Sequence, residues 1–135
     1  MFICLNCGKE NKTSKNTMNM YCDNACQADK RSRDIVNGWL ASPSPESLYH
    51  RGNQIRKAIR RFLLEQAAYA CSLCGWDKRH PEDGASTLEV DHINGDWRDC
   101  APSNLRVICP NCHSLTPNYK GRNKGNGRGY RKPQD

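Results

Sequence analysis

The chain has little apolar material and no long apolar run. At 135 residues with an apolar share of 36%, it lacks the means to build a large hydrophobic core, so something besides burial must hold the fold. No stretch approaches the roughly 20 apolar residues that cross a bilayer, which predicts a soluble chain without a membrane partner. A signal-peptide core is missing as well: Phe2, Ile3 and Leu5 give way to a run of Asn, Lys, Ser and Thr. Export is therefore not expected, and a cytoplasmic location is.

Cysteine is what the chain has in excess. The nine are Cys4, Cys7, Cys22, Cys26, Cys71, Cys74, Cys100, Cys109 and Cys112. Such a count means disulfides in a secreted chain or zinc in an intracellular one. An odd total, with eight residues in tight pairs, favours zinc and leaves Cys100 without a role. Cys4-x2-Cys7-x14-Cys22-x3-Cys26 and Cys71-x2-Cys74 with Cys109-x2-Cys112 each offer four thiolates, the donor set of a closed structural site. Two structural Zn²⁺ ions are expected. Asp91, His92 and His113 lie beside the second set and are left over as oxygen and nitrogen donors for another, open metal that does chemistry.

Four stretches follow from composition. Residues 1–33 read as an N-terminal four-cysteine zinc-finger unit: a turn with Cys4 and Cys7, a short hairpin, and Cys22 and Cys26 at the start of a helix through Gln27 to Arg33. Such a unit is too small to fold without its metal. Residues 34–53 read as a linker, with a short helix starting at Pro45 behind Ser44 as its cap. Residues 54–119 form the main domain and 120–135 a basic flexible tail.

Within the main domain, Ile55, Ala58, Ile59, Phe62 and Leu63 recur at three- and four-residue steps, predicting a helix from Asn53 to about Tyr69. Thr87–Ile93 alternates like a strand, Asn94-Gly95-Asp96 supplies a turn, Asn104–Ile108 reads as a second strand, and His113–Leu115 could open a helix.

Net charge is +7, but two zinc tetrathiolates at a formal −2 each would take it to about +3, so local clustering matters more. Arg51, Arg56, Lys57, Arg60 and Arg61 stand without an acidic neighbour, and Lys120, Arg122, Lys124, Arg128, Arg131 and Lys132 face Asp135 alone. Both blocks are candidates for contacting nucleic-acid phosphates, with Tyr119 and Tyr130 able to stack on bases or sugars. The plainer alternatives are a solvated helix face and an untethered tail.

Cys71-x2-Cys74-Gly75, Leu88-Glu89-Val90-Asp91-His92-Ile93, Asn104-Leu105-Arg106 and Cys109-Pro110-Asn111-Cys112-His113 fall in one order, and in that order the chain resembles the HNH endonuclease family. The resemblance covers roughly residues 55–122 and is closest in wording to the small HNH enzymes of bacteriophages. It implies a small zinc-stabilised α+β domain of the ββα-metal kind, preceded by a helix. It also implies one catalytic divalent ion, Mg²⁺, Mn²⁺ or similar, no small-molecule cofactor, and DNA cut to 5′-phosphate and 3′-hydroxyl ends. Carried over residue by residue, His92 is the general base, Asp91 and His113 hold the catalytic ion, and Asn104 ties the intervening loop.

A regular strand aims Asp91 and His92 apart, so a bulge or turn after Val90 is expected. Glu89 shares the face of Asp91 and reads as a solvated carboxylate, with assistance to the metal or to the positioning of water as the alternative. His113 as a zinc ligand in place of one cysteine, and a non-catalytic double zinc-finger binding module, are the alternatives. Nicking against double-strand cleavage, and a homodimer or a phage packaging partner, stay open.

Overall fold

A computed structural model describes residues 1–13, 18–52 and 54–123. Its N-terminal part is a two-stranded ribbon, β1 (Phe2–Ile3) against β2 (Glu10–Asn11), followed by the long helix α1 (Asn24–Ala41). Asp23 caps α1 by accepting from the Cys26 amide at 2.8 Å, which satisfies one of the helix's unpaired N-terminal donors. The helix expected to end near Arg33 continues for two more turns.

That continuation changes the reading of residues 34–53. The stretch expected as a linker supplies Trp39 and Leu48, both fully buried, together with buried Val36 and Tyr49. Trp39 also donates from Nε1 to the Cys100 carbonyl at 2.8 Å, so it is fixed at both its apolar body and its polar tip. The short helix α2 (Pro45–Leu48) does begin at Pro45, with Ser44 and Ser47 forming a reciprocal cap. It leads directly into β3 (Tyr49–His50), which pairs with β4 (Gln54–Ile55).

The amphipathic helix is shorter than its sequence pattern. Ile55 belongs to β4, and α3 runs from Lys57 to Gln66. Its buried residues serve two cores. Ile59 packs with Val36, Trp39, Leu48, Tyr49, Cys100 and Leu105, whereas Leu64 packs with Cys71, Leu88, Val107, Ile108 and Cys109. The second core is built around a cysteine knuckle, as a chain with little apolar surface requires.

Strands β5 (Glu89–His92) and β6 (Leu105–Ile108) pair antiparallel, and α4 (Pro110–Ser114) follows. The ladder is one-for-one: Glu89 opposite Ile108, Val90 opposite Val107, Asp91 opposite Arg106 and His92 opposite Leu105. A bulge would put two residues against one, so the distortion expected after Val90 does not occur. The strand simply ends at His92, and the chain turns through Gly95, whose amide donates to the His92 carbonyl at 2.9 Å. α4 starts earlier than expected, at Pro110, with the Cys109 sulfur as its cap.

Candidate metal centres and active site

Both four-cysteine sets come together. In each, the four sulfurs lie within 4.8 Å of one another, with Cys7 and Cys22 at 3.4 Å and Cys74 and Cys109 at 3.7 Å. Ligands about 2.3 Å from a tetrahedral zinc sit about 3.8 Å apart, so the spacing fits that ion. All nine cysteines are free thiols.

The two knuckles share their backbone design. Gly8 donates to the Cys4 carbonyl and Gly75 to the Cys71 carbonyl, each at 2.9 Å. At Gly75 the backbone is left-handed, φ +82°, a turn that a side chain would disfavour. Amides then face sulfur: Cys22 N–H points at Cys4 Sγ and Cys112 N–H at Cys109 Sγ.

The electrostatics call for a cation. Burial raises the Cys4 thiol, but the amides of Cys7, Asn6 and Cys22 outweigh it and hold it at about 6. Cys71 is likewise raised by burial and brought to about 6 by the amides of Cys109, Cys74 and Leu73. Their partners move the other way: Cys22 is pushed up to about 12, first by neighbouring Cys7, and Cys112 to about 12, first by Cys74. Four sulfurs this close cannot all become anions unless a positive ion lies among them.

On one face of β5, Glu89 and Asp91 flank His113 from α4. His113 Nδ1 contacts a Glu89 carboxylate oxygen, and His113 Nε2 faces Asp91 Oδ1 at 3.7 Å. The other Asp91 oxygen accepts from Arg106 Nε at 2.9 Å, across the strand pair. One imidazole nitrogen and one carboxylate oxygen thus face each other, and each group is held from behind by an opposite polarity. This is the geometry by which outer partners orient metal ligands. The Tyr119 ring sits edge-on to His113, with centroids 5.1 Å apart.

His92, at the end of β5, meets a different set of residues. Its Nε2 lies 2.7 Å from the Tyr49 hydroxyl, which donates to the Trp97 carbonyl at 2.8 Å. Asn104, buried, closes the loop between the strands. Its side-chain oxygen accepts from the Asn94 amide at 3.1 Å, and its amide group donates to Asn94 Oδ1 and to the Asp99 carbonyl. Its own carbonyl accepts from Ile93 N–H at 2.8 Å.

The basic helix is less free than its sequence suggests. Arg60 donates to the Leu88 carbonyl at 3.0 Å and pins α3 to the start of β5. Arg56 reaches the Glu46 carbonyl, Arg61 reaches Ser32, and Lys57 is exposed. Lys120 lies over the Tyr119 ring and Arg122 is exposed. Lys124 and Arg128 fall outside the described residues.

The sequence gives no role to Tyr49 or Arg106 and favours a solvated Glu89 over one that assists the metal. The i, i+2 spacing of Glu89 and Asp91 was the available signal for Glu89. For Arg106 the signal would have been the strand register. Tyr49 stands 43 positions from His92, and nothing local marks it.

A family model described as HNH endonuclease matches residues 80–114. The chain is similar to the H-N-H endonuclease F-TflIV of Escherichia phage T5, at 35% identity over 88 residues, which is 64% of this chain and 35% of that protein. The chain thus spans about a third of the length of the curated relative it matches. No solved structure matches.

Proposed function

We propose that this chain, whose residues 80–114 match a family model described as HNH endonuclease, is a metal-dependent DNA endonuclease that leaves 5′-phosphate and 3′-hydroxyl ends. The observation that carries this reading is Asp91 Oδ1 facing His113 Nε2 at 3.7 Å, with Arg106 and Glu89 behind them. In this reading β5, β6 and α4 form a ββα-metal unit, and Cys71, Cys74, Cys109 and Cys112 hold a structural zinc beneath it. Cys4, Cys7, Cys22 and Cys26 hold a second zinc in an N-terminal finger that docks on or near DNA.

Asp91 and His113 hold the catalytic divalent ion, with Glu89 fixing the His113 ring so that Nε2 is presented. A divalent ion held there by Asp91 and His113 would supply positive charge to offset the charge that builds on the phosphate as the bond breaks. His92 takes the proton from the attacking water, a task suited to an imidazole. Asp91 and His92 occupy opposite faces of a regular strand. Both serve one phosphate because β5 ends at His92, so the phosphate sits across the strand end rather than over a bulge. Asn104 holds the loop that leads away from that end and so keeps His92 in place. Lys57 and the cations from Lys120 onward contact the DNA backbone, fixing position without reading sequence.

The test is plasmid cleavage with Mg²⁺ or Mn²⁺ by the wild-type chain and by His92→Ala. Cleavage by the wild type alone supports the assignment. Activity that survives in the variant overturns His92 as the base, and inactivity of both points to a zinc-finger binding module without catalysis.

A further inference from the structure

We propose that Tyr49 is a positioning residue for the nuclease reaction, holding His92 in the tautomer that makes it a base and tying the N-terminal half of the chain to the active site. This rests on the nuclease reading for its consequence, though not for its geometry.

The argument is one of proton counting. A phenol has a single O–H to donate and lone pairs with which to accept. The Tyr49 hydroxyl donates to the Trp97 carbonyl at 2.8 Å. Toward His92 Nε2, at 2.7 Å, it then acts as an acceptor, so Nε2 carries the hydrogen. In a neutral imidazole the basic lone pair is thereby placed on Nδ1. A carbonyl sets the tautomer, but it does so through a hydroxyl.

The hydroxyl is held firmly enough to do this. Tyr49 is only 7% exposed and follows the fully buried Leu48. Its ring stacks on His92 at an interplanar angle of 26° and tilts against Trp97. The Trp97 carbonyl belongs to the loop that Asn104 closes, and it also accepts from Cys100 Sγ. One residue further along β3, His50 pairs with Gln54 and keeps the strand in register. Tyr49 comes from outside the matched residues 80–114, so the motif alone does not complete its own base. The segment that reads as a linker supplies the missing partner.

The protein as purified, with its zinc, is labelled at histidine with ¹⁵N, and long-range ¹H–¹⁵N spectra read the tautomer of neutral His92. The expected result is a hydrogen on Nε2 in the wild type. In Tyr49→Phe, which keeps the ring and its stacking, the tautomers should mix. Plasmid cleavage by that variant should fall about 10- to 100-fold in kcat, the loss typical when an outer partner of a functional histidine is removed, with KM unchanged. A hydrogen on Nδ1 in the wild type, or a tautomer that Tyr49→Phe leaves alone, overturns the proposal. If the tautomer responds as expected while the wild type cleaves nothing, the nuclease reading has failed and the grip of Tyr49 on His92 stands.

Discussion

Asp91 and Arg106 stand directly opposite each other on β5 and β6, and Asp91 Oδ2 accepts from Arg106 Nε at 2.9 Å. The pairing uses one carboxylate oxygen and turns the other toward His113. An arginine this close neutralises Asp91, whose side chain is only 9% exposed, when no metal is there to do so. Arg106→Met should therefore destabilise the metal-free chain by about 2 kcal/mol, less than the 3–5 kcal/mol of a fully buried pair because Arg106 still reaches water. Saturating Mn²⁺ should recover most of that loss. Thermal unfolding with and without the ion checks this, and an equal loss in both conditions would show that the arginine and the ion do not share Asp91.

Glu89 serves His113 as Arg106 serves Asp91. With its carboxylate on Nδ1, His113 presents Nε2 as the ligand atom. Glu89→Gln keeps a hydrogen-bonding group but removes the charge, and should weaken Mn²⁺ binding by about 10- to 100-fold. Calorimetric titration of the zinc-loaded variant provides the measurement. Structural zinc content should not change, since Glu89 lies outside both cysteine sets.

The two four-cysteine sets carry a separate prediction. Cys71 and Cys109 are ligand candidates and buried members of the second core, so losing either removes metal and packing together. In small zinc domains the metal contributes about 10–16 kcal/mol of apparent binding energy, more than the 5–15 kcal/mol by which a typical domain is stable. Cys71→Ser or Cys109→Ser should unfold the region around β5 and β6 and abolish cleavage. Metal analysis of the wild type should find close to two zinc ions per chain, and a folded, active Cys109→Ser protein would contradict the assignment.

These sites were legible in the sequence to different depths. Cysteine spacing announced both sets because ligand geometry is local: a two-residue gap and a following glycine bring two sulfurs to one ion regardless of the rest of the fold. The cap at Ser44 and the strand ends near His92 and Ile108 were readable for the same reason. α1 was harder. Beyond Arg33 it runs through Ile35, Val36, Asn37 and Gly38, residues with weak helix propensity, and burial of Val36 and Trp39 decides the matter. The contacts of Arg106 with Asp91 and of Tyr49 with His92 depend on register and on packing between distant segments, which no periodicity encodes. The expected bulge followed from placing one phosphate between adjacent side chains in mid-strand, whereas the ladder shows that His92 is the strand's last residue.

Gly95 shows how the end of the described chain bears on the site. It turns with φ +73° just after His92, and a Cβ there would meet Asn123 Oδ1 at 2.5 Å and Asn118 Cγ at 2.7 Å. Those asparagines strap the turn: Asn118 donates to the Ile93 carbonyl and Asn123 to the Gly95 carbonyl. Gly95→Ala combines left-handed strain with that collision, and about 1–3 kcal/mol is the expected cost. Unfolding midpoints and protease sensitivity after residue 117 measure it. A variant as stable and as resistant as the wild type would show that the strap does not hold the turn.

The residues beyond Asn123 add four cations, Lys124, Arg128, Arg131 and Lys132, against Asp135 alone. Removing 124–135 leaves Tyr119 on His113 and Asn123 on Gly95, so the site itself should be unchanged. DNA binding should weaken and its dependence on salt should flatten, because each phosphate contact contributes about 0.9 to the slope of log K against log salt concentration. Loss of two to four contacts would then lower the slope by about 2 to 4. Since phosphate contacts position without specifying, the loss should be the same for every duplex sequence tried. Fluorescence anisotropy over a salt series distinguishes the outcomes: an unchanged slope would mean the tail is off the DNA, and a loss confined to one sequence would mean it reads bases.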